Sequence, residues 1–188
     1  MSKILVVMGS PRAKGNSSTL ARQVIAGAEE AGAQVESYVL QDMDIRPCNA
    51  CDACLRDPDR GCVIEDDMQA LYPRIREADA IVIASPIYWF TVSAQTKAFL
   101  DRWYAFEGLE ENPLKGKQLG IVLAYGDSDP FNSGAVNALR MYQDACRYVG
   151  AHIAGAVYGS ASKPGEIARD EALMDKAYRL GERLGTGA

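Results

Sequence analysis

A loop at residues 9–19 contains several hydroxyls, an amide and an arginine in close succession, residue types that could hold an anion. The apolar run at residues 4–8 before it predicts a strand, and the pattern from about Leu20 onward predicts a helix. A strand, a loop and a helix in this order present backbone N–H groups at a helix start, which bind a phosphate without a metal. We therefore predict a phosphate-binding loop.

The spacing of the glycines argues against two common phosphate ligands. A nucleoside triphosphate loop needs G-x-x-x-x-G-K-[ST], but Asn16 stands where the lysine belongs. A dinucleotide fingerprint needs G-x-G-x-x-G, but Ser10 and Pro11 follow Gly9. The single phosphate of a mononucleotide remains as the prediction, and simple capping of the helix by one hydroxyl is the alternative. The side chains available to the phosphate are Ser10, Arg12, Asn16, Ser17, Ser18 and Thr19.

Four of the five cysteines form a second group, Cys48, Cys51, Cys54 and Cys62. Disulfides are disfavoured in a cytosolic protein, which this chain is expected to be, so metal binding or redox chemistry is favoured. The C-x2-C-x2-C spacing is similar to the start of a bacterial ferredoxin run. Structural zinc sites have a longer spacer between two cysteine pairs, so zinc fits less well. Free thiols are the remaining alternative, and Cys146 is expected to be a small core residue.

Two further loops carry aromatic and polar residues. Residues 85–91 read Ser-Pro-Ile-Tyr-Trp-Phe-Thr after a buried strand, and a flat heteroaromatic ring could lie against Tyr88 or Trp89. A hydrophobic plug or a dimer contact would also explain these aromatic residues. Tyr125 and Gly126 begin a polar turn after a later strand, which is suited to approach the edge of such a ring.

Composition limits the class of protein. The chain has 188 residues, 48% of them hydrophobic, which fits one domain over residues 1–188. A net charge of -5 and dispersed basic residues argue against nucleic acid as a partner. Neither a membrane-spanning run nor a signal region is evident, so we expect no membrane partner and a cytoplasmic location.

Apolar runs alternate with helical patterns along the chain, which predicts a doubly wound, three-layer α/β sandwich. Its ligands would lie outside the carboxyl ends of the strands, where the three loops would meet. The strands are predicted at residues 3–8, 34–40, 80–85, 118–124 and 152–158. The helices are predicted at residues 18–32, 66–77, 93–106, 132–149 and 166–184, with residues 185–188 expected to be frayed.

Several of these motifs together resemble the flavodoxin-like NAD(P)H-dependent FMN reductase family over roughly residues 3–104. They are Gly9-Ser10-Pro11-Arg12 with Gly15-Asn16-Ser17, Asp66-Asp67-Met68, Ser85-Pro86-Ile87-Tyr88, and Lys97-Ala98-Phe99-Leu100-Asp101-Arg102. The resemblance implies a five-stranded parallel sheet in the flavodoxin-like order 2-1-3-4-5. It also implies non-covalent FMN, reduction by NAD(P)H, and a homodimer or a dimer of dimers.

The resemblance assigns roles to particular residues. Ser10, Arg12, Asn16, Ser17 and Ser18 would hold the FMN phosphate, and Pro86, Ile87, Tyr88 and Trp89 would line the isoalloxazine ring. No side chain is predicted to act as an acid or base, because bound FMN performs the redox chemistry. His152 and the neighbouring Asp101 and Arg102 are expected to be structural, the last two in internal salt bridges. One branch of the family, the iron–sulfur flavoproteins, has a compact cysteine run at this place.

Three functions remain open. The first is an NAD(P)H-dependent FMN oxidoreductase that reduces a flavin, a quinone or another small-molecule electron acceptor. The second is an iron–sulfur flavoprotein that takes electrons from a ferredoxin through a [4Fe-4S] cluster at Cys48, Cys51, Cys54 and Cys62 to FMN. The third is a flavodoxin-like carrier or sensor without enzymatic activity.

Overall fold

Five parallel strands form the sheet of the computed structural model, which describes residues 1–187. They are β1 (Lys3–Met8), β2 (Gln34–Val39), β3 (Ala80–Tyr88), β5 (Gln118–Tyr125) and β6 (His152–Ser160). A two-residue strand, β4 (Thr91–Val92), pairs antiparallel with the end of β3. The order β2-β1-β3-β5-β6 is the predicted flavodoxin-like order 2-1-3-4-5 when the parallel strands alone are counted. The predicted fold is therefore confirmed.

Helices cover both faces of the sheet. They are α1 (Asn16–Glu30), α2 (Ala53–Arg56), α3 (Met68–Glu77), α4 (Ala94–Asp101), α5 (Ala135–Val149) and α6 (Glu171–Thr186). Three short 3-10 helices span Leu40–Asp42, Arg102–Phe106 and Glu166–Arg169. The helices α1 and α6 pack on one face, and α3, α4 and α5 pack on the other.

The three central strands, β1, β3 and β5, are apolar without alternation because both of their faces are buried. In β1, Val6 belongs to the core under α1 and α6, while Leu5 and Val7 belong to the core on the opposite side. Successive side chains of a strand point to opposite faces, so a central parallel strand needs apolar residues throughout. This is the physical reason that the sequence predicts these three strands as continuous apolar runs, whereas the edge strands β2 and β6 are more exposed.

Two predicted helices and the predicted end of the chain differ from the structure. The segment 93–106 ends its α-helix at Asp101 and continues as a 3-10 helix, and the segment 166–184 begins with another 3-10 helix. The prediction of a frayed end is wrong for Gly185 and Thr186, which belong to α6, with Gly185 buried. Ala188 lies outside the described residues. Among the described residues, no helix is long and apolar enough to cross a membrane.

Candidate functional site

The loops after β1, β3 and β5 meet at one edge of the sheet, as predicted. Ser93, which follows the β3–β4 hairpin, donates a hydrogen bond from its Oγ to the carbonyl of Gly9 at 2.7 Å. The backbone N–H of Ala161, directly after β6, donates to the carbonyl of Tyr125 at 2.8 Å. The side-chain amide of Asn16 donates to the carbonyl of Ala161 at 3.2 Å. These hydrogen bonds connect all three candidate loops at one edge of the sheet.

The start of α1 presents unsatisfied donors. Gly15 is the N-cap, and no side chain caps the helix. Thr19 is the first residue whose N–H bonds back into this turn, to the carbonyl of Gly15 at 2.9 Å, so the amides at positions 16–18 lead the helix. Ser17 is 1% exposed and its Oγ has no hydrogen-bond partner. A buried hydroxyl without a partner at a helix N-terminus fits a bound anion better than it fits simple capping.

Asn16 has a different role from the predicted one. Its amide donates to the carbonyls of Ala161 and Lys163, and its Oδ1 accepts the N–H of Ile167 at 3.3 Å. The side chain therefore ties α1 to the segment after β6 and is fully engaged there. At this position, the group available to a phosphate is the backbone N–H.

The other predicted phosphate ligands lie around the same turn. Ser10 is buried, and its Oγ exchanges hydrogen bonds with the backbone of Arg12 at 3.2 and 3.3 Å. Ser18 is buried in the first turn of α1, and the side chain of Arg12 is exposed. The structure thus brings Ser10, Ser17 and Ser18 together, with Arg12 at the rim.

A tight hairpin presents the predicted aromatic residues. Tyr88 pairs with Thr91, so Trp89 and Phe90 form a two-residue turn, and both have positive φ angles, 50° and 69°. Turns of this kind are usually built from Asn and Gly, because a side chain is strained in this region. Trp89 is 92% exposed at the hairpin tip. Pro86 and Ile87 lie in the last part of β3, half-buried beneath it.

The loop after β5 holds this strained hairpin in place. Gly134 has φ +82°, and a Cβ built there would lie 2.4 Å from the Cα of Phe90. The side chain of Asn137 donates to the carbonyl of Phe90 at 3.1 Å. Both contacts are made with Phe90, and they stabilise a conformation that the hairpin residues disfavour.

Tyr125 and Gly126 end β5 on the same edge. Tyr125 is buried, and burial, with Tyr158 and Asp129 nearby, raises the pKa of its hydroxyl. A Cβ built at Gly126 would meet nothing within 4 Å, so this backbone faces open space. The position fits the predicted approach to a ring edge.

The four cysteines of the predicted metal site line one pocket. Burial raises the pKa of the Cys54 thiol, and the neighbouring Cys62, Cys48 and Cys51 raise it further. The backbone N–H of Ala50 donates to Sγ of Cys48 at 3.5 Å. Ala50 and Asp52, on either side of Cys51, have positive φ angles of 54° and 55°. The loop around Cys51 therefore has an unusual backbone conformation, and the four cysteines lie around one pocket.

Cys146 lies in the core and Asp101 and Arg102 form ion pairs, as expected, whereas the structural role of His152 stays a prediction. Cys146 is buried in the core, and His152 begins β6 at the edge away from the three loops. Asp101 and Arg102 each form an ion pair, but with different partners: Lys97 lies 2.5 Å from Asp101, and Asp66 lies 2.5 Å from Arg102. The Asp66–Arg102 pair crosses between two distant segments, so helix spacing could not reveal it.

Comparison with known proteins decides the family. The sequence model of the family described as NADPH-dependent FMN reductase matches residues 2–164. The chain belongs to this family. As a member of it, the chain is a flavin-dependent oxidoreductase that uses NAD(P)H, with FMN as its cofactor.

The relatives of this chain have names that describe two kinds of flavoprotein. An iron–sulfur flavoprotein of Archaeoglobus fulgidus is 31% identical over 97% of this chain and 78% of its own length. A Bacillus subtilis protein, whose name proposes an NAD(P)H-dependent FMN-containing oxidoreductase, is 29% identical over 96% of this chain and 97% of its own. The structure of an NAD(P)H:quinone oxidoreductase from Methanothermobacter marburgensis has the same fold, with a TM-score of 0.78 and 23% identity over 98% and 96% of the two chains.

The donors at the start of α1 fit the phosphate group of FMN. The unpartnered Oγ of Ser17 and the leading amides of α1 offer donors to the terminal phosphate. The hairpin of β3 and β4 and the open backbone at Gly126 lie at the same sheet edge. The individual contacts assigned to the phosphate and the ring stay predictions.

The donor set of the cysteine pocket is the one that a [4Fe-4S] cluster takes, namely four thiols. Among residues 1–187, however, no three His, Cys, Asp or Glu side chains are spaced to hold a metal ion in the present arrangement. The four cysteines are therefore neighbours in one pocket, and their side chains would have to converge on a cluster.

Sequence reasoning missed the residues that connect these sites. Ser93, Gly134 and Asn137 join the loops, yet none belongs to a phosphate or metal motif. Ser93 carried a local signal, because it stands at the start of the helix predicted over residues 93–106 and serine is a preferred N-cap. The contacts of Gly134 and Asn137 with Phe90 join distant segments and leave no local signal.

Proposed function

We propose that this protein passes electrons from NAD(P)H through FMN to a small planar acceptor, such as a quinone or a free flavin. Bound FMN supplies the chemistry, since it accepts a hydride from a nicotinamide and passes electrons onward. The observation that supports a planar acceptor is the hairpin tip, where Trp89 is 92% exposed yet held by Gly134 and Asn137 through its neighbour Phe90.

The protein's own residues would bind FMN and orient it. The start of α1 would hold the phosphate, and the backbone of residues 86–89 and of Gly126 would hold the ring edge. The flat indole of Trp89 would then stack on an acceptor that lies against the flavin, because aromatic faces offer a large contact area. No titrating side chain is needed for this step.

The test is steady-state reduction of 1,4-benzoquinone by NADPH and by NADH with the FMN-loaded protein. We expect Trp89→Ala to raise the KM for the quinone by about tenfold, the effect of losing one good stacking contact of about 1.4 kcal/mol. Tyr148→Ala is the matched control, because Tyr148 is 76% exposed on α5 and lies outside the three loops. Equal KM values in all three proteins would contradict the proposed acceptor site.

A second candidate function is supported by the cysteine pocket. In this case a ferredoxin would reduce a [4Fe-4S] cluster held by Cys48, Cys51, Cys54 and Cys62, which would reduce FMN. All four thiols line one pocket beside the residues that follow α4, while the aromatic hairpin precedes α4. The eight residues of α4 span about 12 Å, which separates the two sites along one helix.

Anaerobic purification followed by assays of iron and acid-labile sulfide tests this candidate. The cluster predicts equal amounts of iron and sulfide, which Cys54→Ser lowers and Cys146→Ser leaves unchanged, because Cys146 lies in the core outside the pocket. Protein that contains flavin but no iron or sulfide, before and after reconstitution, would exclude the cluster.

The family resemblance also suggests a homodimer or a dimer of dimers, which we propose for this protein. Sedimentation of the FMN-loaded protein tests this proposal.

A further inference from the structure

The two ends of the cysteine-containing segment meet at one side chain. Arg46 precedes Cys48, and Ile64 follows Cys62. The guanidinium of Arg102, which begins the 3-10 helix after α4, donates from Nη1 to the carbonyl of Arg46 at 2.9 Å and from Nη2 to the carbonyl of Ile64 at 3.4 Å. One arginine from outside the segment thus bonds to both of its ends. We call residues 46–64 the cysteine loop.

Asp66 completes this junction. Its Oδ2 accepts from Arg102 Nη1 at 2.5 Å and from the backbone N–H of Arg46 at 2.9 Å, while its Oδ1 accepts the N–H of Met68 at 3.1 Å. The Arg102 and Asp66 side chains are 1% and 0% exposed. A buried ion pair gains little net stability over apolar side chains of the same volume, and its best-attested role is to select one arrangement of the chain.

Tyr72 also contacts Arg102, at its main chain and at its guanidinium. The hydroxyl of Tyr72, on α3, donates to the carbonyl of Arg102 at 3.2 Å, and the guanidinium lies 5.9 Å from the centre of the Tyr72 ring. Arg102 also lines the pocket that contains the four cysteines. Its buried Nε has no hydrogen-bond partner in the protein. Buried donors without an acceptor are rare, so this Nε–H needs a partner that the protein does not supply.

We propose that Arg102 is a positioning residue for the cysteine pocket: with Asp66 it holds the two ends of the cysteine loop together, so that the four thiols share one pocket before a metal arrives. Its free Nε–H is then the donor available to a sulfur atom of the filled site. Donors to sulfur stabilise the negative charge of thiolates and clusters. The same pair explains why Asp66 and Arg102 occur in two separate motifs of the sequence.

The loop-closing part of this inference stands on the ion pair alone, whereas the metal part rests on the proposed [4Fe-4S] function. The test therefore begins with metal-free, reduced protein. Cys54 is 7% exposed inside the cysteine loop, and Cys146 is 5% exposed in the core outside it. Alkylation of the two thiols by iodoacetamide, followed by mass spectrometry, reports loop opening and global unfolding separately.

The variants are Arg102→Met and the double variant Arg102→Met with Asp66→Asn. The double variant removes both charges and so leaves no unpaired buried charge. Lys97→Met is the matched control, since the side chain of Lys97 is 53% exposed and forms an ion pair with Asp101 on α4. We expect alkylation of Cys54 to rise by about tenfold or more in the Arg102 variants, the effect of losing a charge-assisted hydrogen bond, with Cys146 unchanged.

If Cys54 and Cys146 react faster together in Arg102→Met, that variant unfolds globally and the double variant decides. A double variant in which Cys54 reacts at the wild-type rate, or only in step with Cys146, overturns the proposal. Reconstitution with ferrous iron and sulfide gives the second readout. We expect wild type and Lys97→Met to bind equal iron and both Arg102 variants to bind less. A wild type that binds none excludes the cluster and leaves the alkylation result as the test of loop closure.

Discussion

Ser93 Oγ donates to the carbonyl of Gly9 across 2.7 Å and thereby joins the predicted phosphate loop to the aromatic hairpin. The same oxygen caps α4 by accepting the N–H of Thr96 at 3.2 Å, and the N–H of Ser93 donates to Oγ of Ser85 at 3.0 Å. Ser93 is 0% exposed. One buried serine therefore fixes the relative position of two loops that are 84 residues apart.

Replacing Ser93 by alanine should destabilise the protein and loosen the cofactor edge. The variant loses a helix cap and leaves a buried carbonyl without its donor, which together cost about 1–3 kcal/mol of unfolding free energy. Urea unfolding measures this. Ser37→Ala is the control, because Ser37 is exposed on β2, and it should change the free energy by less than about 0.5 kcal/mol. Equal stability of the two variants would show that the Ser93 bonds contribute nothing.

Ser17→Ala separates cofactor binding from folding. If the unpartnered hydroxyl of Ser17 binds the FMN phosphate, its removal should weaken FMN binding by about tenfold or more, the value of one hydrogen bond to a charged group. The FMN-free protein should be as stable as wild type, because that hydroxyl has no partner to lose. Fluorescence titration with FMN measures the affinity.

Thr19→Ala serves as the neighbouring control, since the Thr19 hydroxyl already donates to the carbonyl of Gly15 at 3.0 Å. The affinity of the Thr19→Ala variant for FMN should stay within about twofold of the wild-type value. If Ser17→Ala binds FMN as tightly as Thr19→Ala does, the phosphate lies elsewhere.

Gly134→Ala should disturb the aromatic hairpin. Its φ of +82° disfavours alanine, and the new Cβ would lie 2.4 Å from the backbone of Phe90. We expect a loss of about 2 kcal/mol or more, from strain and from the forced shift of the hairpin. Gly126→Ala is the control for unfolding in the FMN-free protein, because its Cβ would meet nothing within 4 Å. Thermal unfolding that ranks the two variants equally would contradict the contact.

The Asp66–Arg102 pair predicts loss of stability in acid. Burial alone would raise the pKa of Asp66, but hydrogen bonds from Arg102 and the backbone of Arg46 outweigh it and lower that pKa below its ordinary value. The pair therefore stabilises the fold fully above about pH 4, the unfolded pKa, and this contribution is lost as the pH falls through the lower folded pKa.

Asp66→Asn should remove this part of the pH dependence. Urea unfolding of the metal-free protein between pH 3 and pH 7, a range chosen about the ordinary aspartate pKa of about 4, measures it. Wild type should lose more stability than the variant towards acid, so that the two curves approach each other. Parallel curves would mean that the carboxylate of Asp66 has an ordinary pKa.

The sequence predicts those features of the fold and the site that depend on neighbouring residues. Five apolar-rich runs predicted all five parallel strands. The central strands β1, β3 and β5 are apolar because both of their faces are buried, and the edge strands β2 and β6 are more exposed. The loop at residues 9–19 was located because the signal for a helix N-terminus lies in adjacent residues. The short strand β4 was missed, since Trp89 and Phe90 adopt a turn that usually requires Asn and Gly, and only the contacts of Gly134 and Asn137 hold it.

What the sequence could not reveal depends on distant partners. Asn16 was assigned to the phosphate, but the carbonyls that engage its amide lie more than 140 residues away. Arg102 was expected in a helix-type ion pair, but its partner Asp66 is 36 residues away on another segment. The cysteines were recognised as a group from their spacing, whereas the side chain that closes their loop was not.

Anaerobic addition of NADPH, and separately of NADH, to the FMN-loaded protein tests the central claim most directly. The absorbance of the bound oxidised flavin should bleach with at least one of the two nicotinamides and return when 1,4-benzoquinone is added. Flavin that stays oxidised with both, and is reduced only by a reduced ferredoxin, would contradict an NAD(P)H-dependent reductase.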